Sequence, residues 1–249
     1  MSILGLSPAE LLLIAVTALG AQVVGGLSGY GTGLLMPLVL VPILGAEAIV
    51  PVISLSAILT NLTRVIVFRH SLDVRKALLV SGFALPFALV GAWCYTLLSS
   101  RGASFVIGTV LILLVPVRRY LAHRRFKLGT RGGAVAGVVY GFLTGGTTGV
   151  GIILISILMS MGLTGLQVIA TDALTSTILG LAKTGVFVAA GALPAKLCLV
   201  AILIGVMATP GTLIARWLAS RFSARLHDTV LEATIIAGGG ILLWRALGS

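Results

Sequence analysis

The sequence predicts an all-α polytopic membrane protein, built as an inverted repeat of two halves with five segments each. Three observations support this prediction. The chain is 58% hydrophobic and only 9% charged, apolar runs recur along its whole length, and a glycine-rich motif occurs once in each half. A soluble domain of this composition would expose large apolar areas to water, and such areas cause aggregation. The net charge of +11 would indicate nucleic acid in a soluble protein, but here we predict the lipid bilayer, and no nucleic acid, as partner.

The apolar segments follow one another with only short polar turns between them. A membrane-spanning helix needs about 20 mostly apolar residues, and several of the segments are shorter. We therefore predict about eight to ten membrane segments, with a short glycine-broken or re-entrant helix opening each half. The ten segments are roughly 8–26, 31–44, 48–68, 77–98, 103–117, 132–145, 147–161, 166–190, 197–218 and 229–247.

The basic residues predict the orientation of the chain, because cytoplasmic loops carry an excess of Lys and Arg. Twelve of the 17 basic residues fall in the three stretches 69–76, 118–131 and 216–225. We predict that these loops are cytoplasmic. The loops around Arg101 and Lys196, and both termini, are then external.

The two halves repeat each other. At a constant offset of 116, Leu27, Ser28, Gly29, Thr32 and Gly33 match Leu143, Thr144, Gly145, Thr148 and Gly149. Further along, Arg64 matches Lys183 at an offset of 119. Since each half has an odd number of segments, the second half must enter the membrane in the opposite orientation. The predicted units are a first membrane repeat 1–121, a basic cytoplasmic linker 122–131 and a second membrane repeat 132–249.

The repeated motifs are GGLSGYGTG at 25–33 and GFLTGGTTG at 141–149. Paired glycine-interrupted segments in an inverted repeat indicate a transporter site near the bilayer midplane, because irregular backbone at that depth must be buried or line a cavity. The helix that restarts after each break presents free N–H groups, which favour an anion. Close helix packing is the alternative role of such glycines. The substrate-binding residues predicted from the motifs are Ser28, Gly29, Gly31, Thr32, Gly33, Thr144, Gly145, Gly146, Thr147, Thr148 and Gly149.

Charged residues within membrane segments are costly and mark functional pathways. Lys183 lies deep in its segment, so we predict that it faces the cavity. Arg64 and Asn61 are further candidate ligands. For Arg64, snorkelling to the lipid headgroups is an equally favoured alternative. For Asn61, an equally favoured alternative is a hydrogen bond between helices. Asp172 could neutralise a basic group of the other half, carry a proton coupled to transport, or lie at the membrane interface.

Enzyme functions find no support in the sequence. Gly26, Leu27, Ser28 and Gly29 resemble the GxSG pattern of rhomboid intramembrane proteases, but those need a histidine base within the membrane. His70, His123 and His227 all lie in or beside predicted cytoplasmic loops. Metal-binding, nucleotide-binding and carboxylate-dyad motifs are absent as well. We predict a protein that is no enzyme and uses no cofactor and no metal.

About ten segments in 249 residues, with a glycine-rich hydroxyl motif in each half and a basic central loop, resemble the TauE/SafE family. This family of sulfite exporters is also called the toluene-sulfonate uptake permease family. The resemblance implies a transporter of small sulfur-containing anions such as sulfite or organosulfonates, often an exporter, in a bacterial-type inner membrane. A passive anion channel and a non-transporting scaffold or sensor remain alternatives. The substrate, the direction, the coupling ion and the oligomeric state stay open.

Overall fold

The structure is a computed structural model that describes residues 6–28, 31–123, 129–218 and 244. All regular elements in these ranges are helices, which confirms the all-α prediction for the described part of the chain. Two short 3₁₀ helices, Ala46–Ala48 and Arg69–Ser71, accompany nine α-helices there. The latter are α1 (Pro8–Ser28), α2 (Gly31–Leu44), α3 (Ile49–Val67), α4 (Val74–Thr96), α5 (Ser100–His123), α6 (Gly129–Gly146), α7 (Gly151–Ser160), α8 (Leu166–Ala189) and α9 (Ala195–Leu218).

Each of the first nine predicted segments overlaps one of these helices. The predicted segment 229–247 lies outside the described residues, apart from Trp244. α5 continues to His123 and α6 begins at Gly129, so both helices extend into the predicted linker 122–131.

Four stretches of the described residues are long and apolar enough to cross a membrane: Pro8–Gly25, Ala46–Val67, Val74–Thr96 and Ala195–Ala215. Shorter apolar helices accompany them, among them the 14-residue α2 and the 10-residue α7. A helix bonds its backbone polar groups internally, which lipid requires. The protein is therefore a multi-pass membrane protein.

α3 and α8, which carry the candidate residues Arg64, Asp172 and Lys183, lie at the centre of the described helices. α3 packs against α8, while α4 packs along α6 and α1 along α9. Buried residues make up 61% of Ala46–Val67 but only 28% of Pro8–Gly25. α3 is thus a core helix, whereas much of α1 is left to face lipid.

Glycines bring α6 and α4 into close contact. A Cβ atom added at Gly141 would meet the carbonyl oxygen of Ala84, and one added at Gly145 would meet that of Ala88. A Cβ atom at Gly146 would lie 3.3 Å from the carbonyl oxygen of Gly91. Gly145 and Gly146, which the sequence predicts as substrate-binding residues, thus contact α4 in the way that small residues mediate helix packing in membranes.

We expect Gly145→Ala to destabilise the protein, because the new methyl group collides with the backbone of α4. Overpacking of this kind costs about 1–3 kcal/mol, and thermal unfolding in detergent would measure it. Gly82→Ala is the matched control, since Gly82 lies in α4 with open space around its Cβ position. Equal melting temperatures for the two variants would contradict the packing role of Gly145.

Candidate functional site

A cavity of about 110 Å³ lies between α1, α2, α3, α6, α7 and α8. This is several times the roughly 10–15 Å³ that one water molecule needs. We call it the central cavity. Its lining residues are Gln22, Gly25, Thr32 and Gly33 from α1 and α2; Ile53, Ala57, Thr60, Asn61 and Arg64 from α3; Tyr140, Thr144 and 147–151 from α6, the following turn and α7; and Asp172, Ser176, Leu179, Gly180 and Lys183 from α8.

Both glycine motifs reach this cavity. In the second motif, α6 ends at Gly146, residues 147–150 are not helical, and α7 begins at Gly151. Gly149 in this break has a φ of 83°, a left-handed conformation that favours glycine. A Cβ atom added at Gly33 would lie 2.8 Å from the backbone nitrogen of Gly149. The two motifs therefore touch, and neither glycine leaves room for a side chain.

The first turns of α2 and α7 line the cavity through Gly33 and Gly151. The N–H groups of a first helical turn have no partner within their helix. They give this end a partial positive charge. Two such ends at one cavity favour an anionic ligand.

The threonine hydroxyls differ between the two motifs. Thr32 donates to Gln22 Oε1 at 2.6 Å, and Gln22 Nε2 donates to Thr212 Oγ1 at 3.0 Å. The hydroxyls of Thr147 and Thr148 are buried and have no hydrogen-bond partner within the described residues. Their residues are only 2% and 4% exposed. Because buried polar groups normally have a partner, these hydroxyls are available to a ligand in the cavity.

A buried ion pair joins α3 and α8 at the cavity. Arg64 donates to Asp172 Oδ2 at 2.9 Å and to Asn61 Oδ1 at 3.1 Å. Arg64 is 4% exposed and Asp172 1%. Arg64 therefore does not reach toward the surface as a snorkelling side chain would, and Asp172 lies opposite a basic group of the other predicted half.

Lys183 is in a different electrostatic situation from Arg64. Its ammonium donates to the backbone oxygen of Thr144 at 2.9 Å. Among the residues that the structure describes, no carboxylate forms an ion pair with it. The lysine thus brings a positive charge to the cavity that these residues do not neutralise.

The cavity-lining faces of α3 and α8 correspond residue by residue. Five residues of each helix line the cavity, and a single offset of 119 relates all of them: Ile53 with Asp172, Ala57 with Ser176, Thr60 with Leu179, Asn61 with Gly180, and Arg64 with Lys183. The same helix face is therefore turned to the cavity in both predicted halves.

Among the predicted site residues, the structure brings together Thr32, Gly33, Asn61, Arg64, Thr144, Thr147, Thr148, Gly149, Asp172 and Lys183. At Gly145 and Gly146 the Cβ position faces α4. Gly29, the side chain of Ser28 and the surroundings of Gly31 lie outside the described part of the chain.

Sequence reasoning missed several polar residues of the cavity. These are Gln22, Thr60, Tyr140 and Ser176. Each lies in a predicted membrane segment without belonging to a motif. For Gln22, the presence of a side-chain amide in a membrane helix was a usable signal, because such groups need a partner in lipid.

The model of the family described as "Sulfite exporter TauE/SafE" matches residues 13–242 of the chain. No curated protein and no solved structure matches it. The family match covers most of the sequence and includes both glycine motifs, α3 and α8. The chain therefore belongs to the TauE/SafE family, a family of membrane transporters rather than enzymes.

Proposed function

We propose that the protein is a secondary transporter, acting as an exporter, of small sulfur-containing oxyanions such as sulfite or organosulfonates. The observation that carries the proposal is the set of groups around one small cavity. The described residues give the two buried hydroxyls no hydrogen-bond partner and the lysine no carboxylate, and the first turns of two helices lie beside them. The family match supports the substrate class.

The donors suit a compact oxyanion. Each sulfonate or sulfite oxygen accepts hydrogen bonds, and those from a cationic donor are the strongest. Lys183 Nζ is a cationic donor, and the hydroxyls of Thr147 and Thr148 and the first-turn N–H groups of α2 and α7 are uncharged donors. A cavity of about 110 Å³ leaves no room for a large polar substrate.

The inverted repeat is part of this proposal, with a first repeat 1–121, a linker 122–131 and a second repeat 132–249. In this repeat, α1 of the first half corresponds to α6 of the second, α3 corresponds to α8, and α4 corresponds to α9. The packing of α4 on α6 then corresponds to that of α1 on α9, and α3 packs on its own counterpart, α8. The constant offset of 119 between the two cavity faces also supports the repeat.

Transport by purified protein in liposomes tests the function. The panel contains sulfite, thiosulfate, methanesulfonate, sulfate and acetate, and protein-free liposomes are the control. A carrier gives saturable flux of sulfite or a sulfonate that unlabelled substrate inhibits. Flux that rises linearly with concentration would assign a passive channel, and no flux of any anion would assign a scaffold or sensor.

For the orientation, we propose that both termini are external, in a bacterial-type inner membrane, and that the loop 118–131 is cytoplasmic. In a variant that lacks Cys94 and Cys198, a membrane-impermeant maleimide should label Ser100→Cys in intact cells. Ser71→Cys should react only after permeabilisation, because it lies in a basic loop with Arg69 and Arg75. The opposite pattern would reverse the orientation and leave the repeat intact.

A further inference from the structure

The charges around the central cavity do not cancel. Among the described residues that line it, Arg64 and Lys183 are cationic and Asp172 is the carboxylate, which gives a net charge of +1. We propose that the cavity selects oxyanions with a single negative charge over dianions. This inference rests on the proposed function and specifies which anions the site takes.

The repeat explains where the excess charge comes from. Arg64 and Lys183 occupy corresponding positions on α3 and α8, and Asp172 neutralises Arg64 at 2.9 Å. The residue of α3 that corresponds to Asp172 is Ile53, which also lines the cavity and is 6% exposed. An isoleucine thus stands where a second carboxylate could have balanced Lys183.

Lys183 is half-buried, and a charge held away from bulk water without a counter-charge is unfavourable. The cavity therefore favours a ligand that brings its total charge to zero. A monoanion does this, whereas a dianion leaves an excess negative charge among buried groups. The dianion also loses more hydration energy on entry, since the Born energy rises with the square of the charge. Methanesulfonate and hydrogen sulfite meet the requirement, and sulfate does not.

The first test compares methanesulfonate with sulfate, which are similar in size, by calorimetric titration of the purified protein. Methanesulfonate should bind at least about tenfold more tightly, as expected for one unbalanced charge in a partly buried site. Equal or tighter binding of sulfate would overturn this inference and leave the proposed transport function standing. If no sulfur oxyanion on the panel binds or is transported, the proposed function itself fails.

The second test changes the charge at Ile53. Ile53→Asp brings the cavity to zero charge and should weaken methanesulfonate binding at least about tenfold relative to the matched, uncharged Ile53→Asn. Equal affinities of two folded variants would contradict the charge argument. If Ile53→Asp does not fold, Ala57→Asp places the carboxylate at a half-buried position on the same cavity-lining face of α3 and also brings the charge to zero. Methanesulfonate binding should then be weaker than in the matched Ala57→Asn, and equal affinities would overturn the inference.

Discussion

Lys183→Gln is expected to abolish saturable sulfite and sulfonate transport while the protein still folds and inserts. The ammonium is the cation of the cavity that no described carboxylate neutralises, so the charge of this half-buried side chain is best compensated by the bound anion. Glutamine keeps a hydrogen-bond donor for the backbone oxygen of Thr144 but removes the charge. Flux in proteoliposomes and methanesulfonate binding by calorimetry would measure the loss.

Lys196→Gln is the matched control, because it makes the same change at an exposed lysine in the first turn of α9. We expect the control to transport like the unaltered protein and both variants to melt at similar temperatures. If the Lys183 variant keeps saturable transport with unchanged affinity, Lys183 does not bind the substrate. A fall in melting temperature together with transport would assign a structural role instead.

Arg64→Gln should strongly destabilise the folded protein. Removal of one partner of a buried ion pair costs about 3–5 kcal/mol, because the other charge stays buried without compensation. Here that charge is Asp172, which is 1% exposed. The sequence alone leaves snorkelling open for Arg64 and therefore predicts a smaller effect of this substitution on transport than that of Lys183→Gln. The ion pair now adds a large effect on stability.

A double-mutant cycle separates the ion pair from other effects of these substitutions. Arg64→Gln combined with Asp172→Asn should recover much of the stability that either single variant loses, because two neutral amides replace two charges. Equilibrium unfolding in mixed detergent micelles measures the free energy of unfolding of the unaltered protein, the two single variants and the double variant. Additive losses in the double variant would mean that the two residues do not interact.

Much of the fold was predictable because apolar length is a strong signal in membrane proteins. Nine predicted segments overlap helices of the described residues, and α5 and α6 extend beyond their apolar runs into the predicted linker 122–131. The length of a helix beyond its apolar run depends on its polar end residues, which hydropathy does not resolve.

The lining of the central cavity was predictable where two signals coincided. Lys183 combined depth within its apolar segment with a place in the predicted repeat, and the glycine motifs combined composition with recurrence. The direction of a side chain within a motif was not predictable: Thr144 faces the cavity, whereas its neighbour Gly145 faces α4. The role of Arg64 was open for a similar reason. Whether it snorkels depends on how α3 packs against α8, and no local pattern encodes that packing.

The contact between Gly33 and Gly149 has a consequence for the transport cycle. Under the proposed repeat these glycines are counterparts, so the pseudo-two-fold axis passes between them. In such a transporter, the inward-open and outward-open forms arise when the halves exchange conformations. A contact between two residues that are not counterparts is then replaced by the contact between their two counterparts. A contact between counterparts, in contrast, joins the same two residues in both forms. The two glycines can therefore stay together throughout the cycle, as the stationary hinge around which access changes from one side of the membrane to the other.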